Sequence, residues 1–169
     1  IVSRNVLIGR YDPELLIHYT KEEFEYFDMF IDHDRDLQFS IAGVREWEDK
    51  YLVKDKKSNQ FFESPQVSYI LMAMSTFMYD QGNEKYSRSD LVKLRYEHLS
   101  LGYVNSPSPQ SAGLRTSTRN YSSCVLLEAD DSIDGISAVE RVSKKYATLK
   151  AGLGIGVQGL RATGQPIRN

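Results

Sequence analysis

The sequence predicts an α/β protein in which a mainly helical N-terminal layer with a β-hairpin is followed by strand, helix and strand, the opening of a parallel sheet or barrel. Three observations carry this expectation. Apolar residues recur every three or four positions behind strong helix caps in the first part of the chain. The composition turns abruptly to Gly, Pro, Ser and Thr after Leu101. Beyond that point an apolar run of strand length, a capped amphipathic stretch and a second short apolar run alternate, which is the order of a parallel unit. The expected division is a helical domain over residues 1–101 and an α/β domain over 102–169.

Taken in order, the helical part opens at Asp12-Pro13, a cap followed by proline in the first helical position, where a backbone N–H has no partner to lose. Thr20-Lys21-Glu22-Glu23 has the spacing of a capping box and feeds Phe24, Phe27, Phe30 and Ile31 along one face. A further helix is expected over 36–49, with Phe39, Val44 and Trp47 turned inward. Tyr51-Leu52-Val53 and Gln60-Phe61-Phe62 flank the polar stretch 56–59 and read as a hairpin. Ser64-Pro65 opens a long helix whose apolar stretch, 69–79, includes Met72 and Met74 and, with Met78, is expected to fill the core. Ser89-Asp90 lies at the start of another, bearing Leu91, Leu94 and Leu99.

The stretch 105–119 is dense in hydroxyls, and Pro107 and Pro109, one residue apart, are expected to bar a helix there. It leads into Ser122-Ser123-Cys124-Val125-Leu126-Leu127-Glu128, read as a buried strand. Period two places Ser122, Cys124 and Leu126 on one face and Ser123, Val125 and Leu127 on the other. Asp130-Asp131-Ser132 starts a helix in which Ile133, Ile136, Val139, Val142, Tyr146 and Leu149 keep a spacing of three or four. The glycine-rich tail holds a second strand around 153–157.

Composition narrows the function classes. A chain of 169 residues with 7 Phe, 11 Tyr and 41% hydrophobic residues can build a core without a disulfide or metal staple. No apolar run reaches the length of a membrane span and no export signal is visible, so a cytoplasmic, membrane-free protein is expected. With 21 basic against 23 acidic residues there is no field to hold nucleic acid directly. A single cysteine, Cys124, excludes disulfide frameworks and CxxC pairs within the chain. His18, His33 and His98 lack metal-ligand spacing, so no metal site is expected. The start without Met and the polar end at Arg168-Asn169 suggest part of something larger.

Several groups carry two readings each. Gly154-Ile155-Gly156-Val157-Gln158-Gly159 matches GxGxxG, but the dinucleotide fingerprint must follow a strand and open a helix, so these glycines read as a close-packed strand and turn. Cys124 is either a small packing residue or a thiol behind a loop whose hydroxyls and arginines suit a phosphate-bearing substrate. Asp130 and Asp131 either cap the next helix or accept from sugar hydroxyls. Arg161 and Arg168 are either solvated or the two prongs of a phosphate clamp.

The run Thr116-Ser117-Thr118-Arg119-Asn120-Tyr121-Ser122-Ser123-Cys124-Val125-Leu126-Leu127-Glu128, followed by Asp131-Ser132-Ile133-Asp134-Gly135-Ile136, resembles the large catalytic subunit of class I ribonucleotide reductase. The likeness continues through Lys150-Ala151-Gly152-Leu153-Gly154-Ile155-Gly156 and Arg161-Ala162-Thr163-Gly164-Gln165-Pro166-Ile167-Arg168. Phe30-Ile31-Asp32-His33-Asp34-Arg35-Asp36 and Lys50-Tyr51-Leu52-Val53 also look like that family, especially its enterobacterial and phage branch. Ser106-Pro107-Ser108-Pro109 stands where the family usually has Leu-Pro-Thr-Pro.

The resemblance implies the segment between the family's N-terminal ATP cone and the middle of its ten-stranded α/β barrel, in an enzyme that reduces ribonucleoside diphosphates by radical chemistry with a redox cysteine pair. Cys124 falls on the cysteine of the first barrel strand, which acts in substrate reduction and becomes disulfide-bonded to a cysteine on another strand. Ser108, Ser123 and Cys124 fall at the substrate site. Asp131, Ser132 and Ile133 fall on the effector-binding stretch, Arg161 and Arg168 match residues that hold effector phosphates, and 132–149 would join a helical dimer interface.

The implied cofactors and partners follow from the same likeness. The effector is a deoxynucleoside triphosphate or ATP, and the radical comes from a metal-containing small subunit, with no cofactor in this chain. Thioredoxin or glutaredoxin is the reductant. The remaining part of the large subunit is required, because the finger-loop cysteine, the second redox cysteine and the C-terminal cysteine pair are not in this sequence. The place of action is the cytoplasm, or the host cytoplasm for a viral chain. A non-catalytic deoxynucleotide-binding regulatory module using Asp131, Arg161 and Arg168 is the alternative.

Overall fold

In the computed structural model, which describes residues 2–119, 121–149 and 151–166, the chain forms two units, Ile1–Tyr121 and Ser122–Asn169. The first runs through α1 (Val2–Leu7), α2 (Glu14–His18), α3 (Lys21–Asp28), a 3₁₀ segment (His33–Gln38), α4 (Ile41–Glu46) and a wide π turn (Trp47–Tyr51). It continues with α5 (Pro65–Thr76), α6 (Arg88–Ser100) and α7 (Ser108–Gly113). The second consists of β1 (Cys124–Glu128), α8 (Ile133–Thr148) and β2 (Gly152–Gly156). Among the described residues no helix is long and apolar enough to cross a membrane.

α5 carries apolar residues on every side and therefore lies at the centre of its unit. Ser64 caps it by accepting the Val67 N–H at 3.4 Å, Pro65 sits in the first turn, and Ile70, Leu71, Met72, Ala73 and Met74 are buried. Tyr11, Leu15, Tyr19, Phe27, Val92 and Tyr96 close around it, each of the larger side chains contributing roughly 1.5–3 kcal/mol of burial. α3 delivers Phe27 because its capping box forms: Thr20 Oγ1 accepts from the Glu23 amide at 3.2 Å, and Glu23 Oε2 accepts from the Thr20 amide at 2.8 Å. α6 starts the same way, with Ser87 and Asp90 as its reciprocal caps.

Five sequence expectations change. The helix expected over 36–49 is broken at Ser40, whose extended backbone and side-chain bond to the Gly43 amide at 3.1 Å start a new helix. Trp47 is buried as expected, whereas Val44 is exposed. The hairpin is reduced to one antiparallel bridge, Lys54 with Phe61, because Tyr51 is drawn into the π turn and Asp55 Oδ1 gathers the Lys57 and Ser58 amides into a tight loop. Pro107 and Pro109 do not bar a helix: they take the N-cap and the first turn of α7, positions whose amides need no intrahelical partner.

The fourth change is the boundary. Residues 102–121 belong with the helical unit, not with the strands, because Arg115 is wholly buried there. Its Nε donates to both Glu63 oxygens at 2.9 and 2.8 Å, its Nη1 to the Ser111 carbonyl at 2.6 Å and its Nη2 to the Tyr51 carbonyl at 2.7 Å and to Glu63. Glu63 also accepts from the Val53 amide and the Tyr11 hydroxyl, both at 2.8 Å. Burial, then the Glu63 charge, push the Tyr11 phenol well above its ordinary pKa, so it remains a donor.

In the second unit β1 and β2 pair in parallel, Cys124 beside Gly152 and so on to Glu128 beside Gly156. α8 packs on both strands, and Val125, Leu127, Val139, Val142 and Tyr146 are half-buried between them. Paired residues of a parallel ladder share a face, so Cys124, Leu126 and Glu128 stand with Gly152, Gly154 and Gly156 on the other side. That side is open: Leu126 is 88% exposed. The strand expected to be buried is covered on one face only. Gly135 is required in the first turn of α8, where a Cβ would come within 2.7 Å of Asp130 Cβ.

Breaking a buried ion pair from one side leaves an uncompensated charge worth about 3–5 kcal/mol. Arg115→Ala should lower stability by that amount in urea unfolding followed by Trp47 fluorescence, and Arg115→Met with Glu63→Leu should recover most of it. A loss under about 1 kcal/mol in the single variant, the range of exposed pairs, would show that the pair is not what fixes this unit.

Candidate functional site

Cys124 is the first residue of β1 on the face that α8 leaves uncovered, and its thiol is exposed. The Ser123 hydroxyl lies 3.7 Å from Sγ. Beside it in register is Gly152, where a Cβ would stand 3.9 Å from the sulfur and 3.4 Å from the Ser123 carbonyl. With hydrogen in that place, the approach to the sulfur from over β2 is unobstructed. The Cys124 thiol is thus exposed on the uncovered face of β1 in this unit.

Asp131 and Arg161 come together. They follow the carboxyl ends of β1 and β2, the edge of a parallel sheet where ligands characteristically bind. Arg161 Nε donates to Asp131 Oδ1 and Oδ2 at 3.1 and 3.0 Å, its Nη1 donates to the Pro166 carbonyl at 2.6 Å, and the pair is about a third exposed. The Arg161 guanidinium holds the Asp131 carboxyl below the usual carboxylate range. Ser132 caps α8, its Oγ accepting from the Gly135 amide at 3.0 Å, and Ile133 is 73% exposed. Arg168 lies outside the described residues. The GxGxxG glycines sit in β2 and the turn behind it, and Gly159 lets the chain pass Ala129, whose carbonyl oxygen would be 3.2 Å from a Cβ.

Ser108 belongs to the first unit, in the first turn of α7, exposed, with its Oγ 3.0 Å from the Tyr51 hydroxyl. The arginines of the preceding reading are not free donors for phosphate. Arg115 is committed to Glu63, and Arg119 Nη2 donates to Asp12 at 3.3 Å and Glu14 at 2.7 Å. Tyr51 and Arg115 are the residues sequence reasoning passed over. The signal for Arg115 was a lone buried-type partner, Glu63, just ahead of the Ser64 cap and far away in sequence. A cleft of about 560 Å³ opens elsewhere in this unit beside Phe24, Ile31, Val67 and Met74, and none of the site residues lines it.

The Asp131 carboxyl titrates low because of Arg161, so the pair is intact above the ordinary carboxylate pKa of about 3.9 and is lost as pH falls through the lowered value. Arg161→Ala should move the Asp131 midpoint upward toward the ordinary value in a carboxyl ¹³C NMR titration. An unchanged midpoint would mean the two side chains do not pair in solution.

Comparison with known proteins bears on this geometry. Residues 122–169 match the ribonucleotide reductase barrel domain. The chain is 43% identical over 99% of its length to the ribonucleoside-diphosphate reductase 1 subunit alpha of Escherichia coli. It is 42% identical over 99% of its length to the subunit alpha of Haemophilus influenzae, and 38% over 98% to that of Enterobacteria phage T4. It spans 22% of the length of each of these relatives. Along its whole length the chain is thus a relative of the class I ribonucleotide reductase large subunits, and its residues 122–169 belong to the ribonucleotide reductase barrel domain family.

Proposed function

We propose that this chain supplies part of the catalytic subunit of a ribonucleoside-diphosphate reductase: the first strand-helix-strand of a ten-stranded α/β barrel, a piece of the substrate pocket and most of the specificity-effector site. One observation carries the reading. β1 bears an exposed thiol, Cys124, at its amino end, and the paired Asp131 and Arg161 follow the carboxyl ends of β1 and β2. The identity to reductase alpha subunits supports it.

In the assembled enzyme a radical delivered from the metal-containing small subunit reaches a finger-loop cysteine in the remaining part of the large subunit, which abstracts a substrate hydrogen. Cys124 and a thiol on another barrel strand then give up two electrons and two protons and become a disulfide, while the ribose hydroxyl leaves as water. Thioredoxin or glutaredoxin restores the dithiol. Ser108 serves the substrate diphosphate as a neutral hydroxyl donor, and Ser123, beside Cys124, contacts the substrate. A deoxynucleoside triphosphate or ATP sits at Asp131, Ser132 and Ile133, its phosphates taking Arg161 from Asp131, with Arg168 as the second prong. The exposed Leu126, Ile133 and Ile136 favour further chains against this unit, the rest of the large subunit on the open sheet face and a second large subunit along α8. These partners place the work in the cytoplasm, or in the host cytoplasm for a virus.

The test is complementation. Mixed with the remaining large-subunit sequence and the small subunit, the chain should restore multiple-turnover reduction of ribonucleoside diphosphates, and Cys124→Ser should abolish it. Full turnover by Cys124→Ser would remove Cys124 from the chemistry. Deoxynucleotide binding without any complementation would favour the regulatory-module reading instead.

A further inference from the structure

The hydroxyl of Tyr51 stands 3.0 Å from Ser108 Oγ and 3.3 Å from Glu46 Oε1. We propose that Tyr51 is a positioning residue for the substrate diphosphate, holding the Ser108 hydroxyl through a proton that it can direct either to Glu46 or to Ser108. The inference rests on the reading of Ser108 as a substrate-diphosphate residue and adds Tyr51 to it.

Donor bookkeeping around Tyr51 leads to this role. Lys50 Nζ donates to Glu46 Oε1 at 3.0 Å and holds that carboxyl below the usual carboxylate range, so Glu46 is ionised and can only accept. With no ligand bound, the Tyr51 proton goes to Glu46, and Tyr51 Oη accepts the proton of Ser108. A diphosphate oxygen is also acceptor-only. When Ser108 turns its proton to the phosphate, its oxygen faces Tyr51 as an acceptor, and the Tyr51 O–H, swinging from Glu46, donates to it. No proton leaves the cluster; two hydroxyls rotate, and Lys50 continues to compensate Glu46.

The two backbones are held for this exchange by a single buried group. Arg115 donates to the Tyr51 carbonyl at 2.7 Å and to the Ser111 carbonyl of α7 at 2.6 Å, so the π turn and the helix carrying Ser108 are fixed against one guanidinium. The Tyr51 ring lies edge-on to Trp47, with centroids 5.2 Å apart. Neither restraint involves the hydroxyl. Tyr51→Phe therefore removes the proton relay and leaves the ring packing and the carbonyl contact in place.

The experiment is steady-state kinetics of the assembled reductase with Tyr51→Phe, Ser108→Ala and the double variant. Tyr51→Phe should raise KM for ribonucleoside diphosphates about three- to tenfold, the value of one net hydrogen bond, with kcat and thermal midpoint unchanged. The double variant should be no worse than Ser108→Ala alone, since Tyr51 acts through Ser108. If Ser108→Ala raises KM while Tyr51→Phe leaves it unchanged, or if the two effects add, the positioning role is overturned and the Ser108 reading survives. If Ser108→Ala itself leaves KM unchanged, the substrate reading of Ser108 falls and the inference falls with it.

Discussion

A charge taken out of water must be fully matched, and in the helical unit that requirement is met around Arg115 and Glu63, whose side chains are completely buried. The guanidinium has five N–H donors in a fixed plane and the carboxylate four lone-pair sites, so satisfying them recruits groups from every direction. Tyr11, the Tyr51 carbonyl, the Val53 amide and the Ser111 carbonyl all converge there. Segments that are remote in sequence are thereby given one relative position. The apolar core around α5 supplies the larger share of the driving force but is tolerant of small shifts. The ion pair is not, and it fixes where the π turn and α7 lie.

What the sequence revealed divides along the same line. Local devices were readable: the Thr20/Glu23 capping box, the Ser64-Pro65 start, the Ser132 cap and the alternation of faces along β1 each depend on residues within a few positions of one another. Which residues share a face with Cys124 follows from period two once the strand is granted, whereas the strand was read as buried and its open face was not legible. Non-local devices were hidden. Arg115 and Arg119 look alike in a hydroxyl-rich run, yet one is sealed against Glu63 and the other, itself exposed, reaches Asp12 and Glu14. The hairpin failed because Asp55 and the π turn compete for its residues. Pro107 and Pro109 misled because proline forbids helix interiors and not helix starts.

At the candidate effector site Asp131 and Arg161 are already engaged with each other. An anionic ligand must compete with Asp131 for Arg161, and the capping role of Ser132 is independent of that exchange. This arrangement keeps an arginine oriented without leaving it uncompensated, and under the proposed role it would set any phosphate against a carboxylate that repels it. On the open face the economy is different. β2 contributes glycine at each position beside Cys124, Leu126 and Glu128, so the surface above both strands is furnished by β1 alone.

β1 is five residues long and joins the two candidate sites directly. An extended chain is close to its full reach, with about 3.3 Å of rise for each residue, so it has almost no slack to absorb strain along its axis. A tug on the loop that holds Asp131 is transmitted to the sulfur as a shift of the whole rod, or it is arrested by the neighbouring ladder and never arrives. Under the roles proposed for Asp131 and Cys124, whichever of the two outcomes holds would decide whether nucleotide choice and sulfur chemistry share a mechanical link.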